Sequence, residues 1–156
     1  MTSETSELVL PEALETARVQ AQESGLTYSG GVTPPVAWKL FSSGQALLVD
    51  VRTGEERKFV GHVPDSLHVP WATGTSLTRN PRFVRELEAK VGSKDAIVLL
   101  LCRSGKRSAL AAEAAAKGGF TSVFNVFEGF EGEMDASQHR GSIDGWQFHD
   151  LPWVQD

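Results

Sequence analysis

The sequence predicts an α/β fold in which a mainly parallel central sheet carries helices on both faces. Three observations predict it. Short apolar runs at residues 46–51, 67–69, 96–101 and 122–127 have the length and composition of buried strands. Segments with helical periodicity or capping signals alternate with most of these runs, the pattern of βαβ units. The third run ends on a short glycine-containing turn and leads into an alanine-rich helix, a β-turn-α-β unit whose strands must lie parallel. A chain of 156 residues can build one such core and is short for two.

Residues 1–31 read as an N-terminal extension, partly helical over residues 11–23, with Ala13, Leu14, Ala17, Val19 and Ala21 forming a weak apolar stripe. Residues 32–156 read as the domain itself. Thr33 is placed to cap a helix, Pro34 suits its first position, and Ala37, Leu40 and Phe41 give it an apolar face before Gly44. The strand at residues 46–51 follows, with Asp50 and Arg52 emerging at its C-terminal end. After the short strand at 67–69, Asn80 and Pro81 open a helix that presents Phe83, Val84, Leu87 and Val91 on one face and stops at Gly92. The strand at 96–101 is the most apolar and runs directly into Cys102. A helix over residues 108–117 and a strand over 122–127 complete the pattern.

Composition narrows the function. The net charge of -5 lacks the basic footprint that nucleic-acid binding requires. No apolar run approaches a membrane span, and Met1 to Leu10 carries Glu4 and Glu7 but no basic residue, unlike a secretory signal, so a cytoplasmic address is expected. The single cysteine forms no internal disulfide, and the Cys/His spacing of a zinc site is missing, so neither metal nor cofactor is expected. Against this acidic background Arg103, Lys106 and Arg107 form a local cluster of cations.

That cluster follows Cys102 in the segment Cys102, Arg103, Ser104, Gly105, Lys106, Arg107, Ser108, at the end of a strand and the start of a helix. Ligands of open α/β sheets collect at such strand ends. The free N–H groups and positive dipole end of the helix, with a glycine-containing loop, make an anion-binding nest that stabilises a thiolate. The competing reading of Cys102 is a small buried hydrophobe, and of the cations solvated loop charges. One shared anion site accounts for all of them together.

The order Asp50-Val51-Arg52, Gly61-His62-Val63-Pro64 and Cys102 to Ser108 resembles the rhodanese family, over roughly residues 33–154. Gly145-Trp146 and Leu151-Pro152-Trp153 resemble the tail of its single-domain members. The resemblance implies a rhodanese-like fold and a sulfurtransferase. Cys102 matches the cysteine that accepts a sulfane sulfur from a small anionic donor such as thiosulfate, holds it as a persulfide, and passes it to cyanide, a thiol or a protein acceptor. It also implies that Arg103, Ser104, Gly105, Lys106, Arg107 and Ser108 bind the substrate, with the planar fork of Arg107 as the first donor-binding candidate. Asp50 and Arg52 match a strand-end pair that braces the loop. His62 belongs to a turn motif, and His68, His139 and His149 are assigned no chemistry.

Two departures stand out. Pro64-Asp65-Ser66 replaces the usual Pro-Gly-Ala, and residues 134–143 form an insertion before Gly145-Trp146, expected on the active-site side as a lid, a partner contact or an inert loop. Other function classes are a sulfur carrier or regulatory binding module and, by fold relationship, a cysteine phosphatase or arsenate reductase. The six residues from Cys102 to Arg107 resemble the sulfurtransferase loop, one shorter than that of family phosphatases.

Overall fold

The computed structural model describes residues 2–155, with side chains from residue 12 onward. In chain order the elements are α1 (Thr2–Glu23), β1 (Gly30–Val32), α2 (Pro34–Ser42), β2 (Leu47–Asp50), α3 (Gly54–Phe59), β3 (Leu67–His68), β4 (Ala72–Thr73), β5 (Thr78–Arg79), α4 (Phe83–Val91), β6 (Val98–Leu101), α5 (Lys106–Lys117) and β7 (Val123–Val126). Five strands form one sheet in the order β1-β7-β6-β2-β3, and every pairing in it is parallel. Strands β4 and β5 form a separate antiparallel hairpin.

The alternation of side chains along β6 divides the core. Val98, Leu100 and Cys102 pack with Val49, Trp71, Phe83 and the Ala111, Ala112 and Ala115 side of α5. Leu99 and Leu101 pack on the opposite face with Ala17 of α1, Ala37 and Leu40 of α2, and Phe124. Helices therefore cover both faces of a mainly parallel sheet, as the pattern of the sequence predicts. All four residues of β6 are fully buried, which explains its unbroken apolar character.

Several local expectations change. Helix α1 begins before Pro11, the residue expected to open it; proline removes one helical N–H bond without ending the helix here. Gly30–Val32, read partly as extension, is the edge strand of the sheet and pairs with Phe124 to Val126 of β7. Arg18 Nη2 donates to Ser122 Oγ at 2.7 Å, and Ala17 and Ala21 are buried, so the end of α1 packs on the sheet. Thr33 stands at the N-cap of α2 but its side chain makes no capping bond. The true capping box is at Thr53, whose hydroxyl accepts from Glu56 N while Glu56 Oε1 accepts from Thr53 N, each at 3.2 Å. Helix α3 has no buried residue, so no apolar stripe announces it.

Helix α4 starts at Phe83 rather than at Pro81. Asn80 anchors its entry by accepting from Arg82 N at 3.0 Å and donating to Glu86 Oε1 at 2.9 Å. Helix α5 starts two residues before Ser108, because Gly105, at φ 99°, turns the chain directly into its first turn.

Asp65, where the resemblance implies a glycine, preserves the turn at a conformational cost. Asp65 is exposed and holds φ 67°, in the left-handed region, while Ser66 N and Oγ both donate to Val63 O. Aspartate tolerates this region and a β-branched residue does not. Asp65→Val is expected to lower the free energy of unfolding by about 1–2 kcal/mol, whereas Asp65→Gly should change it by less than about 1 kcal/mol, both measured by urea denaturation.

Candidate active site

Cys102 leaves the sheet immediately after β6 and is completely buried. Gly105 N donates to its Sγ at 3.1 Å, and Ser108 Oγ, in the first turn of α5, lies 3.2 Å from the same sulfur. From the neighbouring strand β7, Asn125 reaches Ser108 Oγ through Oδ1 at 2.5 Å and donates from Nδ2 to Gly105 O at 3.3 Å. Sulfur, helix start and strand β7 thus form one hydrogen-bonded group. The N-terminal end of α5 directs its partial positive charge at the sulfur.

The backbone around Cys102 is held from a second side. Phe130 N donates to Cys102 O at 2.7 Å, and Glu131 N and Gly132 N donate to Arg103 O at 3.0 and 3.1 Å. These contacts require Gly129, where an added Cβ would stand 2.4 Å from the carbonyl carbon of Arg103. Arg52 supports the same segment, with its guanidinium 4.3 Å from the centre of the Phe130 ring. It pairs with Asp50 through Nε and Nη2, and Nη2 also donates to Gly61 O at 2.7 Å. Its Nη1 is buried without a hydrogen-bond partner, and the contact with Phe130 partly offsets that omission. Among the described residues the Asp50 and Arg52 side chains make no hydrogen bond to the cysteine loop, and Arg52 reaches it through Phe130.

The cations of the loop separate. Arg103 and Lys106 are exposed and take part in no ion pair among the described residues. Ser104 is half-buried and contributes no side-chain hydrogen bond in the described structure. Arg107 instead turns toward α3 and forms a two-pronged pair with Glu56, Nη1 to Oε1 at 2.7 Å and Nη2 to Oε2 at 2.8 Å. Its fork is occupied by a carboxylate of the protein itself. Burial opposes ionisation of Glu56, but the hydrogen bonds and charge of Arg107, the Thr53 N–H and the charge of Arg52 outweigh it and hold the carboxyl at about 2, against an ordinary 4.5.

The histidines lie elsewhere in the network. His62 N and O exchange bonds with the backbone of Val154, and His68 Nε2 contacts Arg52 O at 2.8 Å. His149 Nε2 contacts Glu128 Oε1 at 2.8 Å, and His139 is exposed. Within the 134–143 segment Asp135 accepts from Ser137 N and His139 N, closing the loop on itself. Arg140 Nη1 donates to Gly132 O at 2.6 Å, which ties the segment to the chain that holds Arg103. Among the described residues no helix is long and apolar enough to cross a membrane.

Two residues of this arrangement were missed in the sequence. Glu56 carried a readable signal, the Thr-x-x-Glu spacing of a capping box. Asn125 carried a weaker one, a lone amide inside an apolar strand.

Compared with known proteins, residues 33–135 match the family of the Rhodanese-like domain. The chain belongs to this family. An uncharacterized protein of Rickettsia prowazekii is 36% identical over 115 residues, covering 73% of this chain and 87% of the relative. The chloroplastic thiosulfate sulfurtransferase 16 of Arabidopsis thaliana is 34% identical over 112 residues, covering 70% and 89%. Among solved structures, Rv0390 from M. tuberculosis is 44% identical with a TM-score of 0.71, covering 83% of this chain and 99% of that one. The rhodanese-like fold thus agrees with the resemblance carried by the Asp50, Gly61 and Cys102 motifs.

The Glu56–Arg107 pair makes stability depend on pH. Its carboxyl is depressed in the folded state, so its contribution is complete above the unfolded value near 4.5 and is lost as pH falls toward about 2. Glu56→Gln is expected to flatten the loss of stability between those limits relative to wild type, measured by denaturant unfolding at a series of pH values.

Proposed function

We propose that this rhodanese-like chain is a sulfurtransferase that carries a sulfane sulfur on Cys102. The observation that supports it is the setting of Cys102 Sγ, at the start of α5 with the Gly105 N–H at 3.1 Å and Ser108 Oγ at 3.2 Å. This setting favours negative charge on the sulfur and on an outer sulfur attached to it. The name of the Arabidopsis relative supports thiosulfate as the donor class.

In the first half-reaction the Cys102 thiolate attacks the sulfane sulfur of thiosulfate. A new S–S bond forms, the bond to the sulfonate sulfur breaks, and sulfite leaves with its electron pair. In the second, a thiolate or cyanide attacks the outer sulfur and Cys102 leaves as the thiolate. The chain has no second cysteine, so the acceptor comes from another molecule. Cys102 is completely buried, so donor and acceptor reach its sulfur only when neighbouring groups move aside.

Incubation with thiosulfate is expected to add the mass of one sulfur atom, reversibly by reductant, and Cys102→Ala should show no gain. Wild type without that adduct and without thiosulfate:cyanide activity would remove the sulfurtransferase reading.

The exposed cations refine the donor site. Arg103 and Lys106 are free to meet an anion, while Arg107 acts first as the partner of Glu56. The double variant Arg103→Ala with Lys106→Ala is expected to raise KM for thiosulfate roughly tenfold with a smaller change in kcat. Arg107→Ala should cost stability of about 1–3 kcal/mol by leaving Glu56 half-buried without its counter-charge. Steady-state kinetics and denaturant unfolding on the same variants separate the two roles.

A further inference from the structure

Arg107 carries a planar fork suited to an oxyanion, and the fork is already filled. Both carboxylate oxygens of Glu56 take part, Oε1 accepting from Nη1 at 2.7 Å and Oε2 from Nη2 at 2.8 Å. The carboxylate is itself fixed in place. Its Oε1 also accepts from Thr53 N at 3.2 Å and Thr53 Oγ1 at 3.1 Å, within the capping box of α3.

The pair stands beside the loop of the sulfur. Arg107 directly precedes Ser108, whose Oγ lies 3.2 Å from Cys102 Sγ. The Glu56 hydrogen bonds hold the guanidinium above its ordinary value against burial, and the charges of Glu56, Cys102 and Asp50 act in the same direction. Fork and sulfur therefore lie within electrostatic reach of each other. The side chains of Arg107 and Glu56 keep 16 and 20% exposure, so a dissolved anion meets the fork wherever the carboxylate gives way. The neighbouring arginines are engaged too, Arg52 with Asp50, and Arg57 with Asp50 and Ser66. Among the described residues Arg103 and Lys106 of the loop have no such partner.

We propose that Glu56 is a specificity-determining residue, a built-in oxyanion in the Arg107 fork that keeps out compact oxyanions carrying no transferable sulfur, such as phosphate and sulfate. This rests on the reading of Cys102 as a sulfur acceptor and concerns which anions its loop holds. A tethered carboxylate competes at an effective concentration that a dissolved anion does not match. Phosphate loses most by this exclusion, because its affinity consists of charge and hydrogen bonds alone. Thiosulfate loses less, since its sulfane sulfur forms a bond to Cys102 and needs no fork. The sulfite that leaves is also an oxyanion, and a filled fork does not retain it. Selection thus comes from a group set against the wrong ligand.

The test is the equilibrium binding of inorganic phosphate to the full chain, followed by NMR at one neutral pH with no sulfur donor present. Glu56→Gln still accepts from the Thr53 N–H, so the cap is kept, but it withdraws one of the two acceptors from the fork. It is expected to lower Kd for phosphate roughly tenfold, the effect of one charge-assisted hydrogen bond. Glu55→Gln removes the same charge from an exposed neighbour on α3 and is expected to change Kd by less than about twofold. Combining Glu56→Gln with Arg107→Lys keeps the cation without the fork, and most of the gain should disappear. A gain no larger than that of Glu55→Gln, or one kept in full by the double variant, would overturn the proposal and leave the pair as a fastening of α3 alone. The Arg107 Nε–H signal gives a second reading. Added phosphate is expected to leave it in place in wild type and to move it in Glu56→Gln, and an equal movement in both would also overturn the proposal. No step of sulfur transfer enters these measurements, so their failure and the failure of the persulfide test are distinguishable.

Discussion

The position of the sulfur depends on β6 being buried on both faces of the sheet. Its backbone is paired with β2 on one side and β7 on the other, and its four apolar side chains fill both layers of the core. β6 itself carries no polar side chain along its four buried residues. Cys102 occupies the next position, and Gly105 turns the chain at once into α5, so the helix begins beside the sulfur. A sheet that places β6 at its centre therefore also fixes where negative charge is best accommodated.

The polar residues around this point are arranged in two layers with different work. On the side of Cys102, Gly105, Ser108 and Asn125 form a short uncharged network that meets the sulfur directly. Across the sheet, Asp50 and Arg52 continue the alternation of Leu48 and hold Phe130, whose N–H fixes Cys102 O. Between them the Glu56–Arg107 pair joins α3 to α5. Charge is thus used to fasten the frame, while uncharged groups hydrogen-bond to the sulfur, and Arg103 and Lys106 of the same loop are exposed.

Strands were legible wherever burial was nearly complete. The β2, β6 and β7 segments appeared as apolar runs because both faces are covered, and their expected limits differ from the structure by one or two residues. Gly30–Val32 was not legible, since two glycines in three residues have no strand propensity and the strand exists by pairing with β7. The hairpin of β4 and β5 is two residues per strand, below the length at which alternation can be recognised. Helix α3 lacked an apolar face, although its capping box was written in Thr53 and Glu56.

The sequence by itself determined the fold class, the place of Cys102 at the junction of a buried strand and a helix, and the cationic character of the loop after it. These follow from local patterns, apolar runs, glycine and charge, that need no partner to be read. Only the tertiary structure decided what each loop residue faces. Arg107 meets Glu56, 51 positions away, and Asn125 meets Ser108, 17 positions away. Side chains so separated come together through the order of strands in the sheet, and that order is set by packing of the two core layers rather than by any local signal.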